Sequence, residues 1–447
     1  MPVDMVLHNA RIYTHGGIVE AGLAIDDGRI LKIAKPANLP PASSKKNLRG
    51  HLALPGLIDP HVHLRDQQLT YKEDFFSGTA AAAAGGVTLA VDMPNNRPVT
   101  MDSFSLRERM RLAEGRAVVN VAFYSAFPEK LEEVPSIIRE GAIAFKLFLQ
   151  EKIGGLEVDD DKLLLQAFNR VANMGIPVAV HAEDRAILEA KRREIERTGR
   201  RDVEAYVEAR PPEAEAQSIR RIVELAKKCG VHIHFCHVSS AVGLSAVLRA
   251  KKDSLHVTCE VTPHHLLLSV EHLKLCRTFA LTNPPLRTKK DITALWCALK
   301  QGLIDALASD HAPHTLREKE VESIWDVKPG IAGLETTLPL LLTEVSNGRL
   351  TLTDLVRLTS EKPAEVLNLM DRGYLKEGNW ADIVVVDMNR KYKIDASNFH
   401  SKTKFSPFDG WKVRGEPTKT FVNGQLVMDE GEIVARPGTS QIIRWKS

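Results

Sequence analysis

Two histidines one residue apart follow an apolar run near the beginning of the chain. In the stretch "GLIDPHVHLRD", His61 and His63 are followed by Arg65. A β-strand repeats every two residues, so both imidazoles would point to the same side of the backbone and could hold one ion. The pair alone is weak evidence, because a chain with 16 histidines also contains the similar stretch "VHIHF". It indicates a metal site only if ligands recur at the ends of other strands.

Polar side chains that could bind a metal or a substrate do recur at the ends of further apolar runs. The runs are, in chain order, "LIDPHVHL", "VTLAVDMP", "VVNVAFYS", "IAFKLFL", "PVAVHAE", "VHIHFCHVS", "HVTCEVTPHH" and "IDALASDHAPH". The polar side chains at or near the ends of the later runs are Asn95, Lys146, His181, His237, His264, His265 and Asp310. Parallel strands that close into a barrel bring their carboxyl ends to one face. The recurrence therefore predicts one metal site on a barrel axis.

The alternation of these runs with helical stretches predicts the fold. Segments such as "FFSGTAAAAAGG" and "DKLLLQAFNRVANMG" favour helices that end at a glycine. Eight strand-helix units predict an α/β fold, a (β/α)8 TIM-like barrel over residues 56–374. Residues 1–55 and 375–447 instead carry short strands with the turn signals "DDG" and "NG". We expect these two ends of the chain to form one small β-sandwich domain.

Composition favours an enzyme that acts on a small molecule. The 447 residues are 44% hydrophobic and 26% charged, with a net charge of +3 from 60 basic and 57 acidic side chains. This balance argues against nucleic acid and membrane partners. The N-terminal residues lack a basic segment followed by a long apolar one, so we expect a cytoplasmic protein. The composition does not determine the oligomeric state and is compatible with a homo-oligomer.

The cysteines do not suggest a thiolate metal site. The five are scattered and form no CxxC pair, which argues against both a disulfide framework and a cysteine zinc knuckle. Cys236 and Glu260 lie close to ligand-bearing strand ends and could hold a peripheral ion. Against this, adjacent residues of a strand point in opposite directions, and Cys236 is next to His237.

The candidate ligands suit zinc or a similar divalent ion, since they are nitrogens and a carboxylate. Four histidines and one aspartate are too many for one catalytic ion, and two ions would use them all. Lys146 lies inside the apolar run "AIAFKLFLQ", where burial favours a neutral amine. It could extend its amine out of the strand end or pair with Asp310. Alternatively, the neutral amine could capture carbon dioxide as a carbamate whose two oxygens bridge two cations.

These motifs in combination resemble the amidohydrolase superfamily, and within it they look most like the dihydroorotases. The matching stretches cover nearly the whole chain. They are "DPHVHLRD", "MPNNRPVT", "FKLF", "VHAED", "CHVSS", "TNPPLR", "SDHAPH" and "PGIAGLET". The resemblance implies a hydrolase of a cyclic amide C–N bond, which reversibly cyclises N-carbamoyl-L-aspartate to L-dihydroorotate in de novo pyrimidine biosynthesis.

The resemblance also implies the metal ligands. It places two zinc ions in each subunit, with carboxylated Lys146 as the bridge between them. Asp310 would serve both as a ligand and as the catalytic proton carrier. The implied ligands are His61, His63 and Asp310 on the first ion and His181 and His237 on the second.

Substrate contacts follow from the same resemblance. Residues matching Arg65, Asn95 and His314 would bind the substrate carboxylate, for which arginine offers a planar fork of donors. Asn283 in "TNPPLR" is a weaker candidate that could instead shape the turn around Pro284. One departure from the family pattern is the pair of glutamines that follows "HLRD", where Pro-Gly is common.

Three alternatives stay open. Arg65 could form a salt bridge with Asp66 or Glu73 instead of binding substrate. A hydantoinase or allantoinase would keep every metal ligand and differ in its substrate contacts. An inactive scaffold protein is the third alternative, and we would expect it to have lost metal ligands.

Overall fold

The computed structural model describes residues 1–445, which form two β-sheets and the helices that cover them. The strands of this part of the chain are β1 (Val3–Thr14), β2 (Gly17–Asp26), β3 (Arg29–Ala34), β4 (Ala42–Asn47), β5 (Leu52–Pro55), β6 (Leu57–Val62), β7 (Val87–Asp92), β8 (Asn120–Ala126), β9 (Ala144–Phe148), β10 (Val178–His181), β11 (Ile233–Phe235), β12 (Val257–Val261), β13 (Ala306–Leu307), β14 (Ile383–Lys393), β15 (Lys412–Val422), β16 (Gln425–Asp429) and β17 (Glu432–Ile433).

The α-helices of the same residues lie mostly between the strands of the first sheet. They are α1 (Phe75–Ala84), α2 (Ser103–Glu114), α3 (Val134–Glu140), α4 (Asp161–Ala172), α5 (Arg185–Glu196), α6 (Val203–Glu208), α7 (Pro212–Ala226), α8 (Ala241–Lys252), α9 (Pro263–Leu267), α10 (Val270–Cys276), α11 (Lys289–Lys300), α12 (Leu316–Lys319), α13 (Leu334–Ser346), α14 (Leu352–Val356) and α15 (Lys362–Val366). None of these helices has the length and apolar composition that crossing a membrane requires within residues 1–445.

The first sheet is a nearly closed parallel barrel. Strands β6 to β13 pair in chain order, and each parallel neighbour is the next strand along the chain. A parallel bridge between Val62 and His311 joins the end of β6 to the segment after β13. The eight strands match the eight apolar runs of the sequence, so the predicted TIM-like barrel is confirmed.

Helix α1 shows why the alanine run belongs to this fold. Asp74 begins the helix with a capping box in which its side chain accepts a hydrogen bond from the Ser77 backbone amide. The alanines at positions 80–83 are buried and small, so the helix can pack closely against the sheets. The chain then turns at Gly86, whose φ of +79° and close approach to Val384 leave no room for a side chain.

The second sheet is built from both ends of the chain. Its strand order is β17-β16-β15-β14-β5-β1-β2-β3, and β4 pairs with β1. The two predicted hairpin turns are present. Asp27 and Gly28 join β2 to β3, Asn423 and Gly424 join β15 to β16, and all four have the positive φ of a tight turn. The predicted separate β unit from both ends is confirmed.

Strand β14 shows how the two sheets meet. Ile383 and Val385 belong to the core of the second sheet, whereas Val384 and Val386 belong to the barrel core. Both faces are buried, which explains the uninterrupted apolar run "IVVV". Strands β5 and β6 lie in different sheets although only Gly56 separates them, so we propose the domain boundary at that glycine.

Candidate metal centre and substrate pocket

Histidines from three barrel strands meet at the carboxyl end of the barrel. The ring centroids of His61 and His63 are 5.3 Å apart, and those of His61 and His237 are 5.2 Å apart. The His181 and His237 centroids are separated by 4.6 Å. All four side chains are buried. The expectation that the first two histidines face the same side is therefore confirmed, and the fifth and sixth strands add two more rings.

Asp310 joins this cluster from the eighth strand. Its Oδ1 lies 3.4 Å from His61 Nε2 and 3.2 Å from His63 Nε2. The ligand atoms of these three residues all lie within 4.8 Å of one another. Asp310 has a φ of +46°, a left-handed conformation that costs energy for a residue with a side chain. The backbone is strained at the point where it aims this carboxylate.

Lys146 lies on β9 with only 1% of its surface exposed. Its Nζ donates a hydrogen bond to Cys236 Sγ at 2.9 Å and lies 5.1 Å from the Phe148 ring centroid. The amine therefore stays inside the barrel, and the alternative of a side chain that extends outward is wrong.

Glu260 on β12 orients two members of the cluster. Its Oε1 lies 2.5 Å from His61 Nδ1 and also accepts a hydrogen bond from the His237 backbone amide. Its Oε2 lies 3.1 Å from His234 Nε2. Burial alone would raise the pKa of Glu260, but His61 and His234 hold this pKa below its usual range. The carboxylate fixes His61 with Nε2 towards Asp310, as partners of metal-binding histidines do.

A second candidate group shares His61. The ligand atoms of His61, Cys236 and Glu260 also lie within 4.8 Å of one another. The sequence predicts opposite directions for Cys236 and His237 only if both residues lie on a strand. In the structure β11 ends at Phe235, and His237 has a φ of +34°, so strand alternation does not apply there. Burial raises the pKa of the Cys236 thiol to about 12.

His181 has its own acidic partner. Its Nε2 lies 2.8 Å from Glu183 Oε2, and Arg210 donates to the same oxygen at 2.7 Å. Burial would raise the pKa of Glu183, but Arg210 and then His181 lower it to about 2. Because Nε2 is engaged, Nδ1 is the nitrogen that His181 can offer to a metal.

The donor set fits divalent metal ions. Burial lowers the pKa of His61 to about 4 and lowers the pKa of His63 and His237 well below the usual value. These imidazoles are neutral and can present a lone pair. Among residues 1–445, His237 Nδ1 is buried and has no hydrogen-bond partner. Neutral nitrogens beside the Asp310 carboxylate are the ligands that zinc and similar ions prefer.

We use the name carboxylate subsite for Arg65, Asn95 and His314, the three predicted contacts of a substrate carboxylate. Arg65 Nη2 lies 3.4 Å from His314 Nε2. Within residues 1–445, the buried Nε of Arg65 has no hydrogen-bond partner. Asn95 Oδ1 lies 2.7 Å from His63 Nδ1, which leaves the asparagine NH₂ group as a donor. The subsite therefore adjoins the histidine cluster.

Asp66 and Glu73, the two carboxylates with which Arg65 could form a salt bridge, have other partners. Asp66 pairs with Arg116 at 2.9 Å. Glu73 accepts hydrogen bonds from the hydroxyls of Ser77 and Ser401. Both carboxylates are thus engaged, and Arg65 Nε, which has no partner among residues 1–445, is available for a ligand.

The loop that carries Arg65 has an unusual backbone. Arg65, Asp66 and Gln67 have φ values of 55°, 56° and 49°, three left-handed residues in succession. Fully buried Arg109 supports them, since its Nη1 donates to Arg65 O at 2.5 Å and to Gln67 Oε1 at 3.2 Å. Proline cannot adopt a positive φ, so the glutamine at this position allows a loop that the common Pro-Gly sequence would not.

The remaining candidates have contacts of their own. Asn283 Oδ1 accepts a hydrogen bond from the Tyr206 hydroxyl at 2.6 Å, and its contact with substrate stays a prediction. His265 bonds Thr262 and the Pro284 carbonyl, which is a structural arrangement. His264 is buried, and its Nε2 lacks a partner within residues 1–445.

A loop from the second sheet reaches the carboxylate subsite. It comprises residues 399–404, between β14 and β15. Thr403 Oγ1 donates to His314 O at 3.0 Å, and Lys402 Nζ lies 2.5 Å from Asp74 Oδ2. Neither the composition nor the periodicity of the sequence indicates this contact.

The comparisons with known proteins agree with this geometry. The model of the amidohydrolase family matches residues 52–427. The chain belongs to the amidohydrolase family. This amidohydrolase is 36% identical to a dihydroorotase of Methanothermobacter thermautotrophicus over 437 residues, which cover 97% of this chain and 96% of that relative. It is 32% identical to an L-hydantoinase of Paenarthrobacter aurescens over 447 residues, which cover 98% of each chain.

Solved structures of amidohydrolases share the fold over nearly the whole chain. An L-hydantoinase (dihydropyrimidinase) from Arthrobacter aurescens has a TM-score of 0.95 at 32% identity and covers 99% of this chain and 100% of its own. A D-hydantoinase (dihydropyrimidinase) from Thermus sp. has a TM-score of 0.92 at 26% identity and covers 98% of each chain. The protein is a hydrolase that acts on cyclic amides.

Proposed function

We propose that this amidohydrolase is a dihydroorotase, which interconverts L-dihydroorotate and N-carbamoyl-L-aspartate in pyrimidine biosynthesis. The observation that carries the proposal is the buried guanidinium of Arg65 beside His314, at the edge of the histidine cluster. An unpaired buried donor is costly, and a carboxylate on the substrate ring would satisfy it. Simple hydantoins carry no carboxylate to fill this subsite.

We further propose that two zinc ions occupy the cluster. His61, His63 and Asp310 would hold one ion, His181 and His237 the other, and a carboxylated Lys146 would bridge them. The position of Lys146 supports this arrangement, since its amine lies inside the barrel against Cys236, the neighbour of His237 in the chain. A carbamate there would need two neighbouring cations for its stability. When bound, such ions supply Lewis-acid polarisation of the ring carbonyl and a lowered pKa for water.

The residues of this chain then bind the ring and move its proton. Arg65, Asn95 and His314 hold the carboxylate and so fix the ring amide in front of Asp310. During hydrolysis, Asp310 takes a proton from the attacking water as the C–O bond forms. As the ring C–N bond breaks, Asp310 gives this proton to the leaving nitrogen. During ring closure, Asp310 makes the same two proton transfers in the reverse order.

A hydantoinase is the second candidate function. The similarity to the L-hydantoinase of Paenarthrobacter aurescens favours it. The discriminating experiment measures kcat/KM for L-dihydroorotate and for 5-substituted hydantoins on the purified protein. We expect turnover of dihydroorotate, together with inhibition by orotate, a flat ring with a carboxylate. Faster opening of hydantoins without inhibition by orotate would establish the second candidate.

A further inference from the structure

Lys72 links the Arg65 loop to the loop that carries His314. It follows the Arg65 loop, is 7% exposed, and is close to His314 of the loop after β13. Its Nζ lies 2.7 Å from Glu318 Oε1 and 3.2 Å from His314 Nδ1. Neither the motifs nor the family resemblance assigned this lysine a role, and the proposed function so far makes no use of it.

The contact between Lys72 and His314 determines which ring nitrogen carries the proton. An ammonium group has three donors and no acceptor, so the nitrogen that faces it must present a lone pair. Burial holds the pKa of His314 well below its usual value, and the ring is therefore neutral with one proton. Nδ1 is the acceptor, which leaves the proton on Nε2.

The opposite tautomer is less consistent with the contacts. It would require Nδ1 to donate to Glu318 Oε2 at 3.5 Å, while the Lys72 ammonium approaches the same nitrogen at 3.2 Å. That tautomer would let Nε2 accept from Arg65 Nη2 at 3.4 Å, but two donors would then face each other at the shorter contact, between Lys72 Nζ and Nδ1. The Glu318 carboxylate is also engaged by Lys72 at the shorter distance of 2.7 Å.

With the proton on Nε2, two donors converge on one point. His314 Nε2 lies 3.4 Å from Arg65 Nη2. Arg65 Nε is a third donor without a partner within residues 1–445. Donors that face each other with no acceptor between them are satisfied when an anion enters. A planar carboxylate would accept from both side chains.

The His314 ring is also held in place. A Cβ added at Gly330 would lie 3.1 Å from His314 Cδ2 and 2.4 Å from Ala312 O, so Gly330 is needed for the ring to pack there. Lys319 Nζ donates to Gly330 O at 2.6 Å and fixes that turn. Thr403 holds the carbonyl of His314 itself. Because the ring is held in this orientation, His314 Nε2 can donate to a substrate carboxylate only if Nε2 carries the proton.

We propose that Lys72 is a positioning residue for the ring carboxylate: it keeps the proton of His314 on Nε2, so that His314 and Arg65 form one two-donor anion site. The substrate part of this inference rests on the proposed dihydroorotase function. The tautomer part concerns this chain alone and can be tested without a substrate.

The first experiment observes the tautomer by nitrogen-15 NMR of the full chain labelled at histidine. The His314 signals are identified by their loss in His314→Gln. We expect Nε2 to be the protonated nitrogen in the wild type and the two tautomers to interconvert in Lys72→Met. A wild-type ring with its proton on Nδ1, or a tautomer that Lys72→Met leaves unchanged, would overturn the inference whatever the substrate.

The second experiment separates KM from kcat with L-dihydroorotate as the substrate. We expect Lys72→Met to raise KM about tenfold, the size of one lost hydrogen bond to a charged group, and to change kcat less than about twofold. Metal content should remain that of the wild type. Lys72→Arg should restore most of the loss because it also donates to Nδ1. A fall in kcat with an unchanged KM would contradict the proposed role.

A matched control addresses the charge of Lys72. Lys289→Met removes an exposed lysine that pairs with Glu271, and should leave KM unchanged. In a His314→Ala background, Lys72→Met should raise KM no further, since the two residues act through one contact. A further tenfold rise there would show that the lysine charge acts on the substrate directly. If no variant turns over dihydroorotate, the proposed function fails, and the NMR result alone then decides the tautomer.

Discussion

The two halves of the pocket are built differently. The ligand cluster, defined as His61, His63, Lys146, His181, His237 and Asp310, lies on or directly after barrel strands, whose positions are fixed by the hydrogen-bond ladder of the sheet. The carboxylate subsite of Arg65, Asn95 and His314 lies on loops. Contacts from residues distant in sequence, among them Arg109 and Thr403, hold these loops in place.

The difference indicates that the two halves of the pocket have separate roles, one in the chemistry and one in the choice of substrate. Strand ends change little among barrels of one architecture, so they suit the groups that perform the chemistry. Loops vary more, and they suit the groups that select the substrate. Changes in the ligand cluster should therefore remove metal and activity together, whereas changes in the carboxylate subsite should alter the substrate preference and leave the metal in place.

Lys146→Ala should have the largest effect. We expect activity to fall by more than ~100-fold, since even the partners of metal ligands are worth about 10- to 100-fold. At least one ion should be lost, and short-chain carboxylic acids in the buffer should partly restore metal and turnover by replacing the carbamate. Metal analysis and an activity assay check this. The exposed Lys162→Ala is the control, and a fully active Lys146→Ala with both ions would refute the bridge.

Arg65→Met should weaken the carboxylate subsite and leave the ligand cluster unchanged. Loss of a charge-assisted bidentate contact should cost about 2 to 4 kcal/mol of dihydroorotate binding, because the substrate carboxylate loses its main donor. Metal content should not change. The measurement is KM and metal content of the same preparation, with the surface variant Arg107→Met as the control. Unchanged kinetics would remove Arg65 from the substrate site.

Glu260→Gln tests whether the ligand cluster depends on its orienting carboxylate. The amide keeps the shape but not the charge that His61 and His234 share. We expect metal affinity to fall by about 10- to 100-fold with the fold intact. Competition with a metal chelator, with circular dichroism as the check on folding, measures this. The exposed Glu271→Gln should behave as wild type; an equal loss in both variants would argue against a specific role.

Glu335→Gln should have the smallest effect, confined to stability. Its oxygens accept hydrogen bonds from the backbone amides of His400 and Ser401, in and beside the loop that contacts His314. Burial nevertheless raises its pKa to about 7. A raised carboxyl pKa stabilises the folded state below pH 4.5, and this contribution is lost as pH rises through 7.

The wild type should therefore lose about 2 kcal/mol more unfolding free energy than Glu335→Gln between pH 5 and pH 8. Urea unfolding of both proteins at the two pH values measures the difference. Parallel losses would show that this carboxyl does not titrate as described.

The same difference between strand ends and loops explains which features the sequence could predict. The barrel strands carry periodic apolar runs, and their terminal residues could be read directly, as for His61, His181 and Asp310. The hairpins of the second sheet also had turn signals in "DDG" and "NG". These features depend on residues that are close together in the sequence.

The features that were missed depend on distant residues or on backbone strain. Lys72 and His314 are 242 positions apart, and His314 and Thr403 are separated by 89. His237 and Asp310 have positive φ values although neither is a glycine, so their residue types do not indicate this conformation. A glutamate within the apolar run "VTCEVT" was the signal for Glu260, but only the folded strands show that it contacts both His61 and His234.

The central claim is that a metal-loaded ligand cluster opens a ring held by its carboxylate. The most direct measurement follows dihydroorotate hydrolysis and metal content on one sample while zinc is added to chelator-treated protein. We predict turnover that rises with bound zinc up to two ions per chain and that orotate inhibits. Full zinc occupancy without dihydroorotate turnover, or equal turnover in protein without metal, would contradict the claim.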